Sequence, residues 1–284
     1  MSGIVFINGD YLPASEAKIS VFDRGFLFAD AVYEVIPVYK GRSFFVERHL
    51  KRLETSLMHA RIANPKLNWR TIFNTLIEQN GARDLQLYVH ITRGNQGVRK
   101  HDIPGELKPS VIVFTIHTPY ASFETKKLGL RANIVEDIRW LRCDIKTTSL
   151  LANILLNDEA VSQGANTAIL SRDGILTEGS ASNVFLVDPD GIIYTPPLDN
   201  MCLPGITRQI TIELIKSLSW PLREEKIPTK ALLQAQEVWV TSTTKEIYPI
   251  TTIDNLPIGN GYGGVFWEQI NAKYQQLIHN QYDR

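Results

Sequence analysis

The chain has 284 residues, 44% of them hydrophobic and 21% charged, the balance of an ordinary soluble protein long enough to bury one large core or two modest ones. Thirty Lys plus Arg offset thirty Asp plus Glu, which excludes an overall basic field for nucleic acid or an anionic membrane surface. The start MSGIVFINGDYLP lacks a basic segment followed by an apolar run, no stretch approaches the roughly 20 apolar residues of a membrane span, and the two lone cysteines, Cys143 and Cys202, match no metal-ligand spacing, so a cytoplasmic protein is expected.

In chain order, Ile4 to Ile7 and Tyr11 to Leu12 flank Asn8-Gly9, a hairpin signal. A second hairpin joins Ala31 to Tyr39 with Ser43 to Val46 across Gly41. Apolar residues at helical spacing predict helices from about Glu47 to Arg61 and from Trp69 to Gln79. Strands follow at Leu85 to Thr92 and Val111 to His117. Thr118 to Lys127 has Pro119 and no sustained period, and reads as a link. This gives a small N-terminal domain at 1–118, a linker at 119–127 and a larger domain at 128–284. In the second, Leu128 to Ile138 alternates like a strand, and Ser149 to Gln163 reads as a helix ending at Gly164. Turns at Asp173-Gly174 and Asp190-Gly191 separate strands between Thr167 and Tyr194. Helices at Thr207 to Leu218 and Val265 to His279 bracket a strand at Glu237 to Thr241. The expected fold class is α/β with α+β character: two domains of mainly antiparallel sheets with flanking helices.

Gly259, Gly261 and Gly264 satisfy the letter of G-x-G-x-x-G, but the chain ends too soon for the βαβ unit that a dinucleotide site needs. The six histidines are scattered, so no metal site is expected. Three segments carry more chemistry. Lys146 closes the mixed apolar and charged run Val135 to Ile145; a partly desolvated lysine loses pKa and becomes a usable amine nucleophile, whereas a solvated one is inert. Thr177-Glu178-Gly179-Ser180-Ala181-Ser182-Asn183 sets a carboxylate beside small and hydroxylated residues ahead of a strand. Leu203-Pro204-Gly205-Ile206-Thr207-Arg208 enters a helix whose free amides suit a phosphate, and Thr241-Ser242-Thr243-Thr244 offers hydroxyls at a strand end. Taken singly, these are equally turns and caps.

Together, and in this order, they resemble the fold-type IV pyridoxal-phosphate enzymes, from Phe22-Asp23-Arg24-Gly25 through Thr241-Ser242-Thr243-Thr244. The resemblance implies pyridoxal 5'-phosphate as cofactor, held by Lys146 as a Schiff base, with the same lysine moving the proton between the substrate α-carbon and the cofactor. It implies Glu178 on the pyridine nitrogen, Arg52, Ile206, Thr207 and Thr243 around the phosphate, and Leu203 against the ring. One departure is the pair Ala29 and Ala31 in Phe28 to Glu34, where related sequences often carry glycine; the added methyls narrow the substrate side.

Within that group, Arg99 and His101 resemble the R-x-H pair of D-amino-acid aminotransferases, which with a tyrosine, here Tyr33, holds the substrate α-carboxylate; Tyr88 is placed to assist. An arginine fork binds a carboxylate in two places, and an imidazole and phenol add donors. The resemblance thus implies transfer of the amino group of D-alanine or a similar D-amino acid to 2-oxoglutarate, in a homodimer whose Arg99 and His101 reach the neighbouring subunit's site. The alternatives within the group are a branched-chain L-amino-acid aminotransferase and an aminodeoxychorismate lyase. From another class, a cofactor-binding protein without turnover remains, although retention of Lys146 and Glu178 speaks against it.

Overall fold

The computed structural model describes residues 3–280, so the outermost ends of the two expected domains, 1–2 and 281–284, lie outside the described residues. The chain divides into two compact units. One runs to Pro119 and includes Ile145–Ser149; the other comprises Tyr120–Asp144 and the chain from Leu150 onward. The division differs from a single cut near 119–127, because the lysine segment returns to the first unit. The expected linker is also not irregular throughout, since Ser122 caps a short helix there.

The first unit contains β1 (Ile4–Ile7), β2 (Asp10–Pro13), α1 (Arg24–Phe28), β3 (Ala31–Tyr39), β4 (Arg42–Ser43), α2 (Val46–Ala60), α3 (Trp69–Gln79), β5 (Leu85–Thr92) and β6 (Ser110–Ile116). Its sheet runs β2-β1-β6-β5-β3-β4 with antiparallel pairing. The turn between β1 and β2 works because Asn8 and Gly9 both take positive φ, which asparagine and glycine tolerate best. Val32, Ile36 and Val38 of β3 pack with Leu53 and Leu57 of α2 and Phe73 and Leu76 of α3 in one core. Beside that apolar stripe, α2 also buries His49, Arg52 and Ser56, a polar row at i, i+3 and i+7. Buried charges are expensive unless paired, so this row requires partners.

The second unit contains α4 (Phe123–Lys127), β7 (Leu130–Glu136), α5 (Leu151–Ser162), β8 (Thr167–Arg172), β9 (Ile175–Gly179), β10 (Asn183–Val187), β11 (Ile193–Thr195), α6 (Ile206–Ser217), β12 (Leu222–Glu224), β13 (Glu237–Ser242), β14 (Glu246–Ile253), β15 (Leu256–Pro257) and α7 (Val265–Asn280). Its sheet runs β12-β11-β10-β13-β14-β7-β8-β9, with β15 beside β14. The pairs β14–β7, β7–β8 and β11–β12 are parallel and the others antiparallel, giving the mixed α/β class with mainly antiparallel strands. Val184, Val238, Val240 and Ile250 form its central core. No helix among the described residues is long and apolar enough to cross a membrane.

Candidate active site

Ile145 sits in the core of the first unit and draws the following lysine onto β3. Tyr33 N donates to Lys146 O at 2.9 Å, Thr147 bridges to Val32, and Lys146 N donates to Ser56 Oγ on α2. The backbone on both sides of the amine is therefore fixed. Lys146 is half-buried, and its Nζ lies 4.1 Å from the ring centre of Tyr33. Tyr33 stacks on Tyr88 at 5.5 Å, and Tyr88 on Phe114 at 4.8 Å, across β3, β5 and β6. Burial pushes the Tyr88 phenol up to about 12, which keeps it a neutral hydroxyl.

The first unit also holds a buried charged cluster around Arg52, whose partners Glu34 and His49 the sequence did not announce. Glu34, fully buried, accepts from Arg52 Nε at 2.9 Å and from Arg52 Nη2, and its Oε1 lies 3.0 Å from His49 Nδ1. Burial alone would raise the Glu34 carboxyl, but the charges of Arg52 and His49 hold it well below the usual carboxylate range. Burial lowers His49, and the charges of Arg52 and Lys146 press the same way against the pull of Glu34. Glu34 thus fixes the plane of the Arg52 guanidinium.

The second unit has an acidic centre of its own. Glu178 is buried at the end of β9, and both of its oxygens are engaged. Oε1 accepts from Arg139 Nη1 at 2.6 Å; Oε2 accepts from Leu203 N at 3.0 Å and from Asn183 Nδ2 at 3.3 Å. Burial pushes this carboxyl above its ordinary range, while the Arg139 charge and the Leu203 amide pull it back. Arg139 is itself clamped by Asp137 through Nε and Nη2, and Thr177 Oγ1 donates to the same carboxylate. Neither Asp137 nor Arg139 stands out in sequence, although their spacing of two allows the bidentate pair.

Beyond Leu203, helix α6 begins at Ile206, and its N-cap, Gly205, has no side chain to cap the first turn. A Cβ at Gly205 would overlap Asn183 Oδ1, so close approach requires glycine here. Ile206 and Thr207 are buried in that first turn, and α6 packs on β13. Thr241, opposite Asn183 in the β10–β13 pairing, has a buried hydroxyl with no hydrogen-bond partner among the described residues. Thr243 follows in the half-buried turn after β13.

Arg99 and His101 are exposed on the loop after β5, and the structure brings them together around Phe28. The Arg99 guanidinium lies 5.6 Å from the Phe28 ring centre and the His101 ring 5.1 Å from it. Among the described residues no hydrogen bond, ion pair or ring contact joins Arg99 or His101 to Tyr33 or Lys146 of the same chain.

These features have known counterparts. The family model for amino-transferase class IV matches residues 31–253. The chain belongs to the class IV aminotransferases. A D-alanine aminotransferase of Staphylococcus epidermidis is 37% identical over 282 residues, covering 96% of this chain and 97% of that protein. One from Bacillus licheniformis is 36% identical, covering 96% of each. Among solved structures, the T.th. branched-chain amino acid aminotransferase with pyridoxamine 5'-phosphate superposes with TM-score 0.88 at 26% identity, covering 97% of this chain and 94% of that one. That of Thermoproteus uzoniensis with norvaline gives 0.85 at 27%, with the same coverage. This class IV aminotransferase is a pyridoxal-phosphate-dependent transaminase of fold type IV. Its residues fit that cofactor in kind: a primary amine on a hydrogen-bonded backbone, a buried carboxylate held by an arginine, a helix start without a side-chain cap and, among the described residues, a buried threonine hydroxyl without a partner.

Proposed function

We propose that this aminotransferase exchanges the amino group of D-alanine or a similar D-amino acid with the oxo group of 2-oxoglutarate. The observation that carries the reading is the Arg99–His101 pair gathered at Phe28, in a chain whose full-length relatives are D-alanine aminotransferases. Two cationic or donor groups side by side suit a planar carboxylate, and gripping it on one side selects which enantiomer turns its α-hydrogen toward the lysine.

Bound pyridoxal phosphate supplies the electrophilic carbon and the electron sink. Lys146 supplies the covalent attachment through Nζ, and the freed amine then carries the α-proton. Its fixed backbone and the Tyr33 face limit the arc over which it swings. Glu178, kept in place by Arg139, Leu203 and Asn183, holds the proton of the pyridine nitrogen. Arg52, Ile206, Thr207 and Thr243 take the phosphate, and Leu203 packs on the ring. Tyr33 and Tyr88 add phenol donors to the carboxylate that Arg99 and His101 bind.

The enzyme acts as a homodimer in this reading, with Arg99 and His101 serving the neighbouring subunit. Two observations support this: among the described residues no hydrogen bond, ion pair or ring contact joins the pair to its own Lys146 or Tyr33, and large apolar residues stand exposed. The latter include Phe22 and Phe26 in one unit and Trp140, Leu151 and Ile154 in the other. The buried free thiols of Cys143 and Cys202 support a reducing, cytoplasmic setting.

The test is a half-reaction. The cofactor-loaded protein is mixed with D-alanine, and separately with L-leucine, without any oxo acid, and the visible cofactor band is followed. Loss with D-alanine alone is the expected result. Loss with L-leucine alone would move the chain to the branched-chain class, and loss with neither would remove both.

A further inference from the structure

Asp23-Arg24-Gly25 belongs to a motif that the cofactor and substrate assignments leave unused. The side chain of Asp23 fastens α1 to the sheet: Oδ1 caps Gly25 N at 2.8 Å, while Oδ2 accepts from Thr92 Oγ1 at 3.0 Å and Ser110 Oγ at 2.7 Å. Gly25 permits the approach, since a Cβ there would overlap the Thr92 side chain.

Arg24, only 3% exposed, then reaches out from this anchor into the loop that carries Arg99 and His101. Its Nη1 donates to Gln96 Oε1 at 2.6 Å, to Lys100 O at 2.7 Å and to Asp102 O at 3.2 Å; its Nη2 donates to His101 O at 3.1 Å. Its Nε donates to Asp30 Oδ2 at 2.8 Å, and Asp30 is gripped in turn by Arg93 through Nε and Nη2. The Arg93 guanidinium also reaches the carbonyls of Ala60 and Arg61 at the end of α2. Phe28, at the other end of α1, has both the Arg24 and the Arg99 guanidinium over its ring and His101 beside it. An exposed loop of this length has no regular ladder to fix it, and here one planar fork with fixed donor directions gathers three successive carbonyls.

We propose that Arg24 and Phe28 are positioning residues for substrate carboxylate recognition: Arg24 sets the backbone of residues 100–102 and holds the Gln96 side chain, and Phe28 aims the Arg99 and His101 side chains. The proposal rests on the reading of Arg99 and His101 as the carboxylate-binding pair. Neither Arg24 nor Phe28 needs to touch substrate. Misaiming a binding arginine by about an ångström costs on the order of 100-fold in the step it supports.

The experiment compares Arg24→Met, Arg24→Lys and Phe28→Leu with Arg99→Ala in the cofactor-loaded protein. Two readouts are taken: KM for D-alanine against kcat, and the rate of trypsin cleavage after Arg99 and Lys100. Arg24→Met is expected to raise KM roughly 10- to 100-fold with kcat little changed, to speed cleavage in the loop, and to leave the cofactor band in place. Arg24→Lys fails to restore KM, because an ammonium cannot span the same acceptors. Phe28→Leu raises KM without faster cleavage, and it tests the aiming role should Arg24→Met fold poorly. An unchanged KM in Arg24→Met and Phe28→Leu, alongside a raised KM in Arg99→Ala, overturns the proposal while sparing the carboxylate reading. An unchanged KM in Arg99→Ala removes that reading, and this proposal with it.

Discussion

Arg139 donates to Glu178 across 2.6 Å while its other two nitrogen atoms grip Asp137, so one guanidinium serves two carboxylates, and all three side chains are buried. A buried ion left without its partner costs far more than the net worth of the pair. Arg139→Met is therefore expected to lose about 3–5 kcal/mol of stability. Arg139→Met strands both carboxylates, so combining it with Glu178→Gln, which neutralises one of them, loses less than the sum of the two single changes. Urea unfolding of the four proteins measures this. Additive losses would show that Arg139 acts on Asp137 alone.

Glu34 connects the site to acid stability. Its folded carboxyl titrates below the ordinary 4.5, so on acidification the unfolded chain takes up that proton first. The stability it contributes is complete above 4.5 and is lost as pH falls beneath that value. His49, lowered from 6.5 by burial, adds an earlier loss beginning below 6.5, because the unfolded imidazole protonates before the buried one. Unfolding free energy measured from about pH 7 to about pH 3 should fall in two stages. Glu34→Gln flattens the lower one. A lower stage unchanged in that variant would assign it to Asp30 and Asp137, which are also held below their ordinary range.

Lys146 makes a covalent prediction. Borohydride treatment of the cofactor-loaded chain should fix the cofactor on the peptide that contains Lys146, read by mass spectrometry. In Lys146→Ala no peptide is tagged, and turnover falls by roughly 10⁴-fold or more, as expected when a nucleophile that also moves the proton is removed. Tagging elsewhere in wild type would end the assignment.

What the sequence made legible was mostly local. Asn8-Gly9 declared its hairpin because both residues accept positive φ, and α2 and α3 declared themselves by helical spacing around Leu53, Leu57, Phe73 and Leu76. The expectations for Lys146 and Glu178 rest on the recognisable order of the residues around them. The hidden parts depend on distant partners. Arg24 looks like any loop arginine until residues 96–102 fold over it, more than 70 positions away. Nothing local sets Glu34 apart until α2 delivers His49 and Arg52. The return of Ile145–Ser149 to the first unit follows from Ile145 joining that core and from the pairing of Thr147 with Val32, neither of which has a local signature. Helix α1 was missed because five residues show too little period to read.

Gly205 links the helix start to the acidic centre and gives the last test. It is the N-cap of α6, and a methyl there would run into Asn183 Oδ1. Asn183 Nδ2 is the group that donates to Glu178 Oε2 and to Leu203 O, so Gly205→Ala displaces a side chain that both Glu178 and the Leu203 segment rely on. Overpacking of this kind costs about 1–3 kcal/mol. The added methyl also crowds the uncapped first turn. Cofactor affinity is therefore expected to fall in Gly205→Ala, measured by titrating the cofactor-free protein with pyridoxal phosphate. In Gly205→Ala combined with Asn183→Ala, the overlap is gone, and stability should recover relative to the sum of the single losses. Recovery of stability together with weak cofactor binding would separate the helix start, as a phosphate seat, from its packing against Asn183.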